Sequence, residues 1–120
     1  MSDIPIPLAN YYNLVKQKRS PYYELVRFLI YDMERYYWRT GYQSDVIYSI
    51  NPRILERQVK EQLKSDKLTS MNISRTVLAV FYGSKLKKDE DFYVTTSSGG
   101  RRNYHVKLNP TIIMMLKGHV

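Results

Sequence analysis

Between Pro21 and Thr40 apolar side chains return at three- and four-residue steps, as Tyr22, Leu25, Val26, Leu29, Ile30, Met33 and Tyr37. That spacing keeps them on one face of an α-helix and predicts a long helix with one buried side. Ser20 offers an oxygen to cap free N–H groups, Pro21 suits the first helical position, and Gly41 supplies a stop. Asp45 to Ile50 is rich in β-branched and aromatic residues and predicts a strand. Asn51 and Pro52 repeat the cap-then-proline start, and Leu55, Val59 and Leu63 form the inward stripe of a second helix from Pro52 to about Ser65. After a polar connection from Lys67 to Met71, Ile73, Val77, Val80 and Phe81 predict a third helix over 71–85. Phe92 to Thr96 and Asn103 to Leu108 then alternate apolar with polar around Ser97-Ser98-Gly99-Gly100-Arg101-Arg102. Alternation of that kind around two glycines able to take positive φ predicts a β-hairpin.

The flanks carry weaker patterns. Leu8 to Lys18 predicts a short helix with Leu8, Tyr11, Tyr12 and Val15 inward, followed by a small basic cluster at Lys16, Lys18 and Arg19 that reads as a solvated linker. Beyond Pro110, the run Ile112-Ile113-Met114-Met115-Leu116 is far shorter than the ~20 residues of a membrane span. It is expected as a short helix, buried against helix 21–40 or shared between subunits. Tyr31, Tyr36, Tyr37, Trp38 and Tyr42 exceed what one inward stripe needs, which points to a homodimer contact made by helix 21–40 and the terminal segments.

Charge changes the picture from fold to partner. Nineteen Lys plus Arg against eleven Asp plus Glu give a formal net charge of +8, and no acid occurs in the last segment from Ser97 onward. A polyanion is the partner such a distribution favours. Arg53, Arg57, Lys60, Lys64 and Lys67 fall on one line of helix 52–65, with Glu56 and Glu61 to either side. That line reads equally as a salt-bridged surface or a ridge facing phosphates. Asp89, Glu90 and Asp91 place the only acidic knot of the second half at the base of the hairpin, opposite its arginine tip.

Candidate chemistry is sparse. With no cysteine, disulfides, thiol catalysis and thiolate metal sites are excluded. His105 and His119 are the only histidines, no pair has metal-ligand spacing, and no glycine-rich phosphate loop follows a strand. His105 is expected as a surface strand residue or a phosphate contact. Among twelve tyrosines no spacing marks out a nucleophile. No enzyme, cofactor, metal or small-molecule ligand is expected. The amino terminus has Asp3, Pro5 and Pro7 where a secretory signal needs a basic and then apolar run, so a cytoplasmic protein without a membrane partner is expected.

The order helix, strand, helix, turn, helix, strand, glycine hairpin, strand resembles the winged helix-turn-helix, an α+β fold. The resemblance covers residues 20–109 and rests on element order, hydrophobic period and turn chemistry. Residues 1–19 would be an N-terminal arm or short helix and 110–120 an apolar extension. The abundance of tyrosine without cysteine is also similar to small proteins of thermophilic archaea and their viruses or plasmids. The resemblance implies double-stranded DNA as partner, helix 71–85 in the major groove and the 97–102 tip on backbone or minor groove. Carried residue by residue, it implies base contacts from Arg75 and Ala79, phosphate contacts from Ser74, Tyr82 and Lys85, wing contacts from Arg101 and Arg102, and support from Arg57, Lys60 and Lys64. The function implied is a sequence-specific transcriptional regulator. Met71, Leu78 and Leu86, partly outward on the same helix, favour the alternative of a winged helix that binds protein in a transcription or replication complex.

Overall fold

The computed structural model describes residues 4–40, 46–64 and 66–119. After a 3-10 turn over Ile6–Leu8, the elements run α1 (Ala9–Val15), α2 (Pro21–Arg39), β1 (Val46–Ile50), α3 (Pro52–Leu63), α4 (Ser70–Gly83), β2 (Phe92–Thr96), β3 (Arg102–Leu108) and α5 (Pro110–Lys117). The fold is α+β, with five α-helices and an antiparallel sheet of order β1-β3-β2 among the described residues. Gly41, Tyr42, Asp45 and Ser65, named above as stop, aromatic, strand start and helix end, lie outside the described residues.

Three helices start the same way. Ser20 Oγ accepts from the Tyr23 N–H at 3.2 Å, Asn51 Oδ1 from Arg53 and Ile54 N–H at 3.0 and 3.3 Å, and Asn109 Oδ1 from Ile112 N–H at 2.9 Å. Each cap precedes a proline whose missing N–H would have been free anyway. Pro110 therefore opens a helix as much as it ends a strand.

Helix ends differ from the periodicity. α3 stops at Leu63, and Lys64 takes a left-handed φ of 50°. Lys64 and Lys67 thus leave the helix, and the cationic line shortens to Arg53, Arg57 and Lys60. α4 starts at Ser70, capped by Thr69, and stops at Gly83, two residues before Lys85. There the Lys85 N–H bonds the Tyr82 carbonyl and the Leu86 N–H bonds the Phe81 carbonyl, each at 3.0 Å. Lys85, at φ 65°, fills the left-handed position that glycine usually takes in this closing motif. The turn delivers Leu86 into the core, 3 % exposed, so it is not an outward residue.

The sheet has one buried and one open face. Ile50, Phe92, Tyr104, Val106 and Leu108 point into a core shared with α2, α4 and α5. Register pairs Ile50 with Tyr104 and Phe92 with Val106, so the alternation along each strand falls on one side. On the open face His105 stacks on Tyr93 with ring centroids 4.6 Å apart. Its Nδ1 meets Ser49 Oγ at 2.7 Å and its Nε2 meets Thr95 Oγ1 at 2.8 Å, so it ties β3 to both neighbours. At the tip, Ser97 N–H bonds the Arg101 carbonyl at 2.8 Å, and Gly100 alone takes positive φ, at 76°.

The amino-terminal segment lies on α4. Tyr12 approaches so closely that a Cβ at Gly83 would meet its ring. Tyr12 also meets the His119 ring edge-on at 5.5 Å, and His119 Nε2 is 2.7 Å from Ser84 Oγ. Burial first and the Lys16 charge second lower the His119 pKa. The folded chain therefore disfavours the imidazolium, whereas the unfolded chain binds that proton near the ordinary value of about 6.5. Stability from this source is full above that value and falls as pH drops through it toward the folded pKa. Melting temperature is expected to decline as pH falls through about 6.5, and His119→Gln is expected to flatten that decline.

Candidate functional site

Three parts of the chain meet at an open groove of about 320 Å³. The start of α3 brings Arg53, the first half of α4 brings Met71, Ser74, Arg75 and Leu78, and the hairpin tip brings Arg101 and Arg102. The cap-then-proline start at Asn51 turns the chain from β1 directly into α3, which sets Arg53 beside α4. The hairpin reaches the same place because β3 is the central strand and its first residue is Arg102. Four arginines and no carboxylate line the groove among the described residues. All four arginines are exposed, so they remain hydrated and available to an anion.

The start of α4 is not itself free for an anion. Glu56, reaching across from α3, accepts the Ser70 N–H, and Thr69 Oγ1 accepts the Asn72 N–H at 3.2 Å. Positive potential in the groove therefore comes from guanidinium groups rather than from unpaired helix N–H groups.

Arg75 is held from one side. Its Nη1 donates to Tyr11 Oη at 3.1 Å, and the guanidinium carbon lies 5.8 Å from the Tyr11 ring centroid. Tyr11 in turn donates to Asn72 Oδ1 at 3.1 Å, while Asn72 Nδ2 donates to the Lys67 carbonyl at 2.9 Å. α1 and the turn before α4 thus hold one edge of the guanidinium itself, at the border of the groove.

The structure brings together Ser74, Arg75, Arg101 and Arg102, four of the residues expected from the sequence. It separates the others. Ala79 is fully buried at 0 %, because the flank of α4 that bears it is covered by the amino-terminal segment. No thymine methyl can reach it. Tyr82 is half-buried with its ring edge-on to Phe92 at 5.6 Å, a packing role. Lys85 lies past the end of α4, and Arg57, Lys60 and Lys64 are exposed but do not line the groove. Arg57 and Lys60 continue the line of Arg53 away from it. Arg53 and Tyr11 were missing from the expected contact set. Arg53 was visible as the first member of the cationic line, whereas no local pattern marked Tyr11.

Among the described residues no cluster of three His, Asp, Glu or Cys could hold a metal ion, and no helix is long and apolar enough to cross a membrane. No family model, curated protein or solved structure matches the chain.

Proposed function

We propose that this chain is a winged-helix protein that binds double-stranded DNA as a sequence-specific transcriptional regulator, with α4 entering the major groove and the β2–β3 tip on backbone or minor groove. The observation that carries this reading is the convergence of Arg53, Arg75, Arg101 and Arg102 on one groove without an opposing carboxylate. The accessible stripe of α4 is narrow: Met71 and Arg75 are exposed, and Ser74, Leu78 and Tyr82 beside them are half-buried. A helix so presented reads few bases. Arg75 suits a bidentate contact to guanine through the guanidinium edge that Tyr11 does not engage, and the wing and α3 arginines suit phosphates.

Affinity for a random-sequence duplex measured across a salt series tests the class. A protein neutralising several phosphates should lose affinity linearly in log salt, with a slope of about −0.9 per phosphate. Absence of binding at low salt would turn the reading to the second one, a protein-binding winged helix. The observation favouring that alternative is Met71, 57 % exposed beside Leu78 in the same groove. Site preference is a separate readout: Arg75→Ala is expected to relax it by about 1–3 kcal/mol at one base pair, as judged by selection from a randomised duplex pool.

A further inference from the structure

Far from the arginine groove, α2 and α5 leave an apolar cleft of about 270 Å³ lined by Glu34, Trp38, Pro110, Ile113, Met114 and Lys117. β3 separates the two places: it begins with Arg102 at the wing and ends at Leu108, just before Asn109 caps α5. Two large side chains stand out from the cleft, Trp38 at 60 % and Met114 at 75 % exposure. Tyr31 extends the patch along α2, two turns before Trp38, at 45 % exposure. Across it Lys117 Nζ donates to Glu34 Oε2 at 2.7 Å.

We propose that this patch is a two-fold contact between two copies of the chain. Three features point to a second copy as the occupant. The hollow and the projections that could fill it belong to the same patch, which is the self-complementarity an isologous contact requires. The two charges that line the cleft, Glu34 and Lys117, sum to zero on a chain of net charge +8, and Arg27 lies at the far end of the patch, over the Tyr31 ring. At the cleft two strongly cationic molecules can meet without opposing like charges, and Lys117 of each can face the carboxylate of its mate. An acidic foreign partner, by contrast, is drawn to the arginine groove.

Size fits as well. A stable contact takes about 800 Å² from each partner, near a tenth of the 7636 Å² surface of this chain. That area exceeds the cleft and requires Tyr31, Trp38 and Met114 together, aromatic and methionine side chains of the kind enriched at such contacts. Docking there leaves both arginine grooves open. The inference stands apart from DNA binding, because it concerns another face and is read on the protein alone.

Sedimentation equilibrium on the full chain across the micromolar range tests it. The expected result is a species of twice the 14.3 kDa chain mass. Met114→Glu should shift the mass to that of a single chain, with its far-ultraviolet circular-dichroism spectrum unchanged because Met114, 75 % exposed, packs little within its own chain. Met71→Glu, which places the same charge in the arginine groove, should leave the dimer intact. A single-chain mass for the parent at every concentration overturns the proposal. So does a dimer that survives Met114→Glu, or one that Met71→Glu disrupts equally.

Discussion

Arg101→Ala combined with Arg102→Ala is expected to weaken binding to a random-sequence duplex by about 100-fold at moderate salt, roughly 3 kcal/mol at about 1.5 kcal/mol per charge-assisted contact. The salt slope should become shallower by about 2, because two phosphates would no longer exchange their counterions for guanidinium groups. Folding should be nearly unaffected. Both side chains are exposed, and the turn is held by backbone bonds from Ser97 to Arg101 and from Gly100 to Ser97. Surface changes of this type stay within about 0.5 kcal/mol in stability.

A matched pair separates contact from general field. Lys18→Ala with Arg19→Ala removes the same two charges from the exposed connection between α1 and α2. If the groove is the contact surface, that control should lose only the long-range part of the attraction and keep its slope. Equal losses from both pairs would mean that DNA meets the protein through its net charge of +8 and not through the hairpin tip.

The contrast between Arg101 and Ala79 shows what was legible in the sequence. Arg101 sits at a glycine-bearing turn between two alternating segments, and a hairpin tip is exposed whatever else the fold does. The starts at Ser20-Pro21 and Asn51-Pro52 are legible for the same reason, since a cap and the N–H groups it serves lie within three residues of one another. Ala79 depends on what covers α4. Helical period assigns a face opposite Ile73 and Val77, but not whether a distant segment packs on its flank, and α1 does. Arg75 lies 64 residues from the tyrosine that holds it. The ends of α3 and α4 were misplaced because Lys64 and Lys85 adopt left-handed φ, a conformation that lysine composition does not announce. The site was thus legible where local chemistry decides exposure and illegible where tertiary cover does.

Phe92→Ala is expected to cost about 3–5 kcal/mol in folding free energy, the usual range for emptying a buried aromatic site. The ring is 0 % exposed and lies 4.9 Å from that of Phe81 and 5.6 Å from that of Tyr82, both on α4. Its backbone begins β2 and pairs in register with Val106 on the central strand, while its carbonyl accepts the Asp89 N–H at 2.6 Å. One residue therefore joins the helix that borders the groove to the hairpin that closes it. Against a typical total of about 5–15 kcal/mol, truncation leaves the fold marginal or lost, to be read as the shift in urea midpoint at constant slope. Phe92→Leu keeps most of the apolar volume and should cost less than half as much. Its duplex affinity carries the sharper information. The arginines are untouched in this variant, so a chain that remains folded but binds DNA less tightly would mean that the angle between α4 and the β2–β3 hairpin is set at Phe92. Unchanged affinity would mean that the hairpin contributes charge without needing a fixed direction.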